Sequence, residues 1–65
     1  MLTGTVTDFD AAKGLGTVTD DAGTAFMFHV IEIVDGTRAV DVGQRVSFQP
    51  LAKFGRFQAG RIRKA

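Results

Sequence analysis

Apolar residues along this chain alternate with polar ones over short runs and seldom recur at helical spacing. A first strand reads from Thr3 to Asp10 with Val6 on its buried side, and Val18 stands between Thr17 and Thr19 in a run from Leu15 to Thr19. From Thr24 to Val30, Phe26 and Phe28 fall on one face, with Met27 and His29 on the other. From Gln44 to Pro50, Val46 and Phe48 alternate with Arg45, Ser47 and Gln49; from Phe57 to Arg63, Ile62 faces inward between Arg61 and Arg63. A period of two is the signature of half-buried strands, and the spread of Gly and β-branched residues disfavours long helices. The pattern predicts five short strands.

The breaks between them have their own chemistry. Lys13-Gly14-Leu15-Gly16 reads as a turn, and Asp20-Asp21-Ala22-Gly23 as a tight turn of the Asp/Gly type. Ile31-Glu32-Ile33-Val34 has length for one helical turn only. Asp35-Gly36 and Val42-Gly43 punctuate a loop anchored to the core by Val40, and Leu51 to Arg56 reads as a second loop. Pro50 donates no amide, so it belongs at a strand end or edge. Five short strands cannot build a two-sheet sandwich of standard size. The expected fold is therefore all-β, a small five-stranded antiparallel closed barrel, because closure removes exposed strand edges. Val6, Val18, Phe26, Phe28, Ile33, Val40, Val46, Phe48 and Ile62 form its predicted buried face.

Composition narrows the possible chemistry. At 65 residues the chain has room for one small domain, residues 1–65, burying about 60% of the surface its unfolded form exposes. Hydrophobic residues make up 45% and charged residues 23%, too apolar for a disordered chain. Cysteine is absent and His29 is the single histidine, so neither a disulfide nor a zinc site is expected. No apolar run approaches the roughly 18 residues of a membrane span. Met1 to Thr5 holds neither a basic stretch nor an apolar core for export, so a cytoplasmic monomer is the expectation. Gly14-Leu15-Gly16 lacks the third Gly and the helix of a dinucleotide loop, and Asp8-Phe9-Asp10 fails calcium-loop spacing. With no Ser/His/acid order and no paired acids, neither an enzyme nor a cofactor is expected.

The net charge of +1 conceals an asymmetry. Residues 1–32 set Lys13 against five acids, net −4; residues 33–65 set seven cations against two acids, net +5. Such a split fits either a basic region for a polyanion or a surface balanced within itself.

Four segments, in order and at matching spacing, resemble the bacterial cold-shock proteins over nearly the whole chain. The family's K-G-F-G-F-(V/I) is present as Lys13-Gly14-Leu15-Gly16-Thr17-Val18, and V-F-V-H-F as Phe26-Met27-Phe28-His29-Val30. L-x-x-G-Q-x-V-x-F is present as Val40 to Phe48, and Q-A-x-x-(V/I) as Gln58 to Ile62. The resemblance implies an OB-type barrel whose exposed sheet face stacks aromatic rings on unpaired bases of single-stranded RNA or DNA, and a role in RNA chaperoning. This chain departs from the family on that face. Asp8-Phe9 stands for the family's W-F, Leu15 and Thr17 for two phenylalanines, and Met27 and Val30 for two more. By type, Phe9 and His29 remain.

Carried over by position, the resemblance makes Phe9, Leu15, Thr17, Met27 and His29 candidate base contacts and Lys13 a phosphate contact. The bland alternatives are a solvated histidine and a solvated turn cation. In the C-terminal third, Lys53-Phe54-Gly55-Arg56-Phe57 interleaves rings with cations, and Arg61 follows. Rings among cations are what sequence-tolerant single-strand binders use, so Phe54, Arg56, Phe57 and Arg61 join the candidates. Phe54 or Phe57 could instead close the end of the barrel as core. The competing class is a protein-interaction module, in which Leu15, Met27, Val30, Ile31 and Val42 leave an apolar patch exposed or an edge strand pairs with a second copy.

Overall fold

A computed structural model describes every residue except Thr37, Arg38, Phe54 and Gly55, with Lys53 and Arg56 described in backbone only. Five strands follow one another: β1 (Leu2–Asp10), β2 (Leu15–Asp20), β3 (Ala25–His29), β4 (Arg45–Lys53) and β5 (Arg56–Lys64). A single 3₁₀ turn, Val30–Glu32, follows β3. The strands close in the order β1-β2-β3-β5-β4, so the expected five-stranded all-β barrel is the fold. β1 pairs antiparallel with β2 and β4, as do β2 with β3 and β4 with β5. Closure between β3 and β5 is parallel, at Met27 opposite Gln58, and an Ile33–Ile62 bridge extends it.

All nine residues of the expected buried face are buried, joined by Ala59, and Phe9 and Val30 pack against that cluster from its edge. No polar side chain among the described residues is buried. Strand boundaries are where local reading falls short. The expected loop from Leu51 to Arg56 is mostly strand, because β4 runs on to Lys53 and pairs there with Arg56. Val30 leaves β3 for the 3₁₀ turn. Pro50 lies within β4 but past Phe48, the last residue of that strand paired with β1, so it keeps the edge position its missing amide calls for.

Two bulges shape the barrel. In β1, Val6 faces Val18 but Asp8 faces Thr17, leaving Thr7 as the extra residue. In β5, Arg61 and Ile62 together oppose Phe48, and Arg61 has the left-handed φ of 51° that such an extra residue adopts. Its amide donates to Glu32 Oε1 at 3.3 Å, which ties β5 to the 3₁₀ turn.

Candidate nucleic-acid interface

The outward face of β1, β2 and β3 carries two cross-strand rows. In one, Asp8 faces Thr17, Thr17 faces Met27, and Met27 faces Gln58 of β5. In the other, Asp10 faces Leu15 and Leu15 faces His29. Directly opposed residues approach within about 5 Å at Cβ, so these side chains form a continuous patch. Leu15, Met27, Phe28, His29 and Gln58 enclose a shallow cleft of about 30 Å³. That volume holds about one water, so a base would lie on this surface and not in it. Met27 is 45% exposed and His29 is exposed, while Leu15 and Thr17 are half-buried.

The bulge at Thr7 decides which neighbour joins the patch. Unbroken alternation from inward Val6 would turn Asp8 inward and Phe9 outward. The extra residue reverses that phase: Asp8 is exposed beside Thr17, and Phe9 faces Gly16 on the side of the core. Phe9 is half-buried with its ring parallel to that of Phe28. It borders the patch and does not lie in the outward rows.

Turn chemistry holds both ends of β2. Asp10 Oδ1 accepts from the amides of Ala12 (3.1 Å) and Lys13 (3.2 Å), and Asp10 O from that of Gly14 (2.9 Å). Gly14 has φ 68°, and a Cβ there would crowd Val30 Cγ2 at 3.1 Å, so a side chain is excluded on two grounds. This turn presents Lys13, exposed, two residues before Leu15. At the other end Asp20 Oδ1 accepts from Ala22 N (3.1 Å) and Thr24 N (2.7 Å). Asp21 is taken up in an ion pair: Arg45 Nη1 and Nη2 donate to its two carboxylate oxygens at 2.7 and 3.1 Å, and Thr3 Oγ1 donates at 2.7 Å. Hydrogen bonding from Arg45, then from Thr3, lowers the Asp21 pKa from 3.8 to about 2. Lys64 pairs with Asp35 at 3.5 Å. Two cations of the basic half thus offset acids of the fold itself, and the charge asymmetry is partly internal balance.

The C-terminal candidates are not all on this face. Arg61 is exposed on β5 beside the 3₁₀ turn. Phe57 follows the inward phase of Ala59 and meets Phe26 edge-on at 6.1 Å, yet stays 63% exposed, so it stands at the end of the barrel and away from the Met27 row. Phe54 and the Arg56 side chain lie outside the described residues. Of the apolar residues considered for a protein contact, Met27, Ile31 and Val42 are exposed, while Leu15 and Val30 are half-buried. Gln58 is the residue local reading passes over: it reaches the face only because β3 and β5 pair in parallel, a closure that no neighbouring residue in the sequence signals.

The family model of the "'Cold-shock' DNA-binding domain" matches residues 2–65. The chain belongs to the cold-shock domain family. A curated relative, the cold shock-like protein CspA of Stigmatella aurantiaca (strain DW4/3-1), is 43% identical over 51 residues and is matched over 75% of each chain. Among solved structures, Drosophila Unr CSD456 superposes with a TM-score of 0.82 at 26% identity. That match covers 98% of this chain, which spans 26% of the length of that one. Cold-shock domains bind nucleic acid and as a family are not enzymes. No described helix is long and apolar enough to cross a membrane.

Proposed function

We propose that residues 1–65 act as a cold-shock-type unit that binds single-stranded RNA or DNA weakly and with little sequence preference, in the manner of an RNA chaperone. The observation that carries this is the patch across β2 and β3, where Leu15, Thr17, Met27 and His29 share one outward surface with Lys13 at its entrance. Base–aromatic stacking contributes about 1–3 kcal/mol per base. Replacing four or five rings by Asp8, Leu15, Thr17, Met27 and Val30 therefore removes several kcal/mol, a loss of roughly a thousandfold or more. Leu15 and Met27 retain dispersion contact with a base face. By residue type, Phe54, Arg56, Phe57 and Arg61 add the rings and cations that sequence-tolerant single-strand binders use. The working unit is a cytoplasmic monomer that needs no cofactor.

Tyr and Trp are absent, so intrinsic fluorescence cannot follow binding. Anisotropy of a labelled pyrimidine-rich single strand reads it directly. Saturable, salt-sensitive binding is the expected result; no binding at low salt overturns the reading. In that case exposed Ile31 and Val42 favour a protein-interaction module on the same scaffold, which light scattering would detect as association indifferent to oligonucleotide.

A further inference from the structure

Four acids lie in the first three strands and their turns, and three of them have structural work. Asp10 and Asp20 hold turn amides, and Asp21 holds Arg45 and Thr3. The Asp8 carboxylate has no hydrogen-bond or ion-pair partner among the described residues. It is also the acid that the Thr7 bulge turns outward, into the row with Thr17 and Met27. Leaving a carboxylate there is unfavourable for phosphate contact, so a bound strand must present something other than its backbone at this point.

We propose that Asp8 is a specificity-determining residue that selects guanine at one position of the bound single strand. The inference rests on the nucleic-acid reading above. A carboxylate is an acceptor with two oxygens and no donor. Guanine alone among the four bases places two donors side by side on its Watson–Crick edge, N1–H and the N2 amino group. Those two donors match the two oxygens of Asp8. Uracil offers one donor flanked by carbonyl oxygens that repel the carboxylate, and cytosine and adenine each offer an amino group beside a ring-nitrogen acceptor. In a single strand this edge is free to be read. Strands in a sheet are spaced about 4.8 Å apart, so Asp8 and Met27 stand roughly 10 Å from each other with Thr17 between them. A purine lying on the Met27 thioether and across Thr17 turns its edge toward Asp8. The short Thr17 side chain, where a ring would fill the space, leaves the path open.

The test is an anisotropy titration of the intact chain with three labelled RNA heptamers: seven uridines, the same strand with one central guanosine, and the same with inosine there, which lacks the N2 amino group. Guanosine should tighten binding about tenfold, within what a bidentate base contact supplies, and inosine should lose most of that gain. Asp8→Ala should remove the guanosine preference and leave binding of the uridine strand equal or tighter, since a charge facing the strand is gone. Asp8 is exposed, so the variant retains its fold, and an unchanged urea midpoint verifies it. Equal binding of all three strands by the natural chain, or a guanosine preference that survives Asp8→Ala, overturns the inference while the nucleic-acid reading stands. Binding of none of the strands overturns both.

Discussion

Phe9 and Phe28 lie with their rings 4° from parallel and 6.3 Å apart, although a whole strand separates their backbones. Gly16 makes this possible. It pairs with Phe9 on one side and Phe28 on the other, and a Cβ at that position would come within 2.5 Å of Phe28 Cζ. The Phe28 ring occupies the space a Gly16 side chain would need, and Phe9 packs against the core beside it. Gly16→Ala should therefore destabilise by about 1–3 kcal/mol through overpacking. Phe9→Leu should cost about 1 kcal/mol as the ring pair is lost. Urea unfolding followed by circular dichroism measures both; a neutral Gly16→Ala would mean that the Phe28 ring is not confined.

Acid should weaken the fold through Asp21. Its folded-state pKa of about 2 lies below the ordinary 3.8, so between these values the unfolded chain binds more protons. The stabilisation is complete above about pH 4 and is lost as pH falls through about 2. Asp21→Asn should flatten the dependence of the urea midpoint on pH across this window, as should raised salt, because the pair with Arg45 is exposed. A slope identical to that of the natural chain would remove Asp21 from the acid response.

Rings restored to the outward rows should strengthen binding. Leu15→Phe, Thr17→Phe and Met27→Phe place aromatics at adjacent positions of β2 and β3, each worth about 1–3 kcal/mol if a base stacks on it. Anisotropy should show about tenfold tighter binding or better for each. If none of the three improves affinity, strands β2 and β3 do not carry the contact.

Salt should report how many cations touch the strand. With about four phosphates neutralised, log K should fall against log[salt] with a slope near −3. Replacing Arg56, Arg61 and Arg63 by Ala should reduce that slope by about 0.7 for each residue that makes a contact. Should the slope stay unchanged, Lys13 and the β2–β3 face bind without the C-terminal cations.

Much of this molecule is readable one residue at a time. The alternation Phe26-Met27-Phe28-His29 and Val46-Ser47-Phe48 states which side chains are buried, because the pleat sends neighbours to opposite faces whatever the strand pairs with. Gly14 and the Asp10 and Asp20 turns are equally local, since their hydrogen bonds span only a few residues. The family motifs then place these elements on a barrel. Pairing is different. Thr7 is an extra residue only relative to β2, so nothing within β1 marks the reversal that exposes Asp8 and turns Phe9 toward Phe28. Arg45 and Asp21 are 24 positions apart, and only the closed barrel brings them together. Gln58 reaches Met27 through the parallel closure of β3 on β5. By itself the sequence determined the order of the strands, the turns at Asp10–Gly14 and Asp20–Gly23, and the inward set, but not where β3 and β4 end. Register, bulges and closure, and with them the chemistry presented on the outward face, were decided by the tertiary structure, because a strand's partner is chosen by how the whole chain buries its apolar surface.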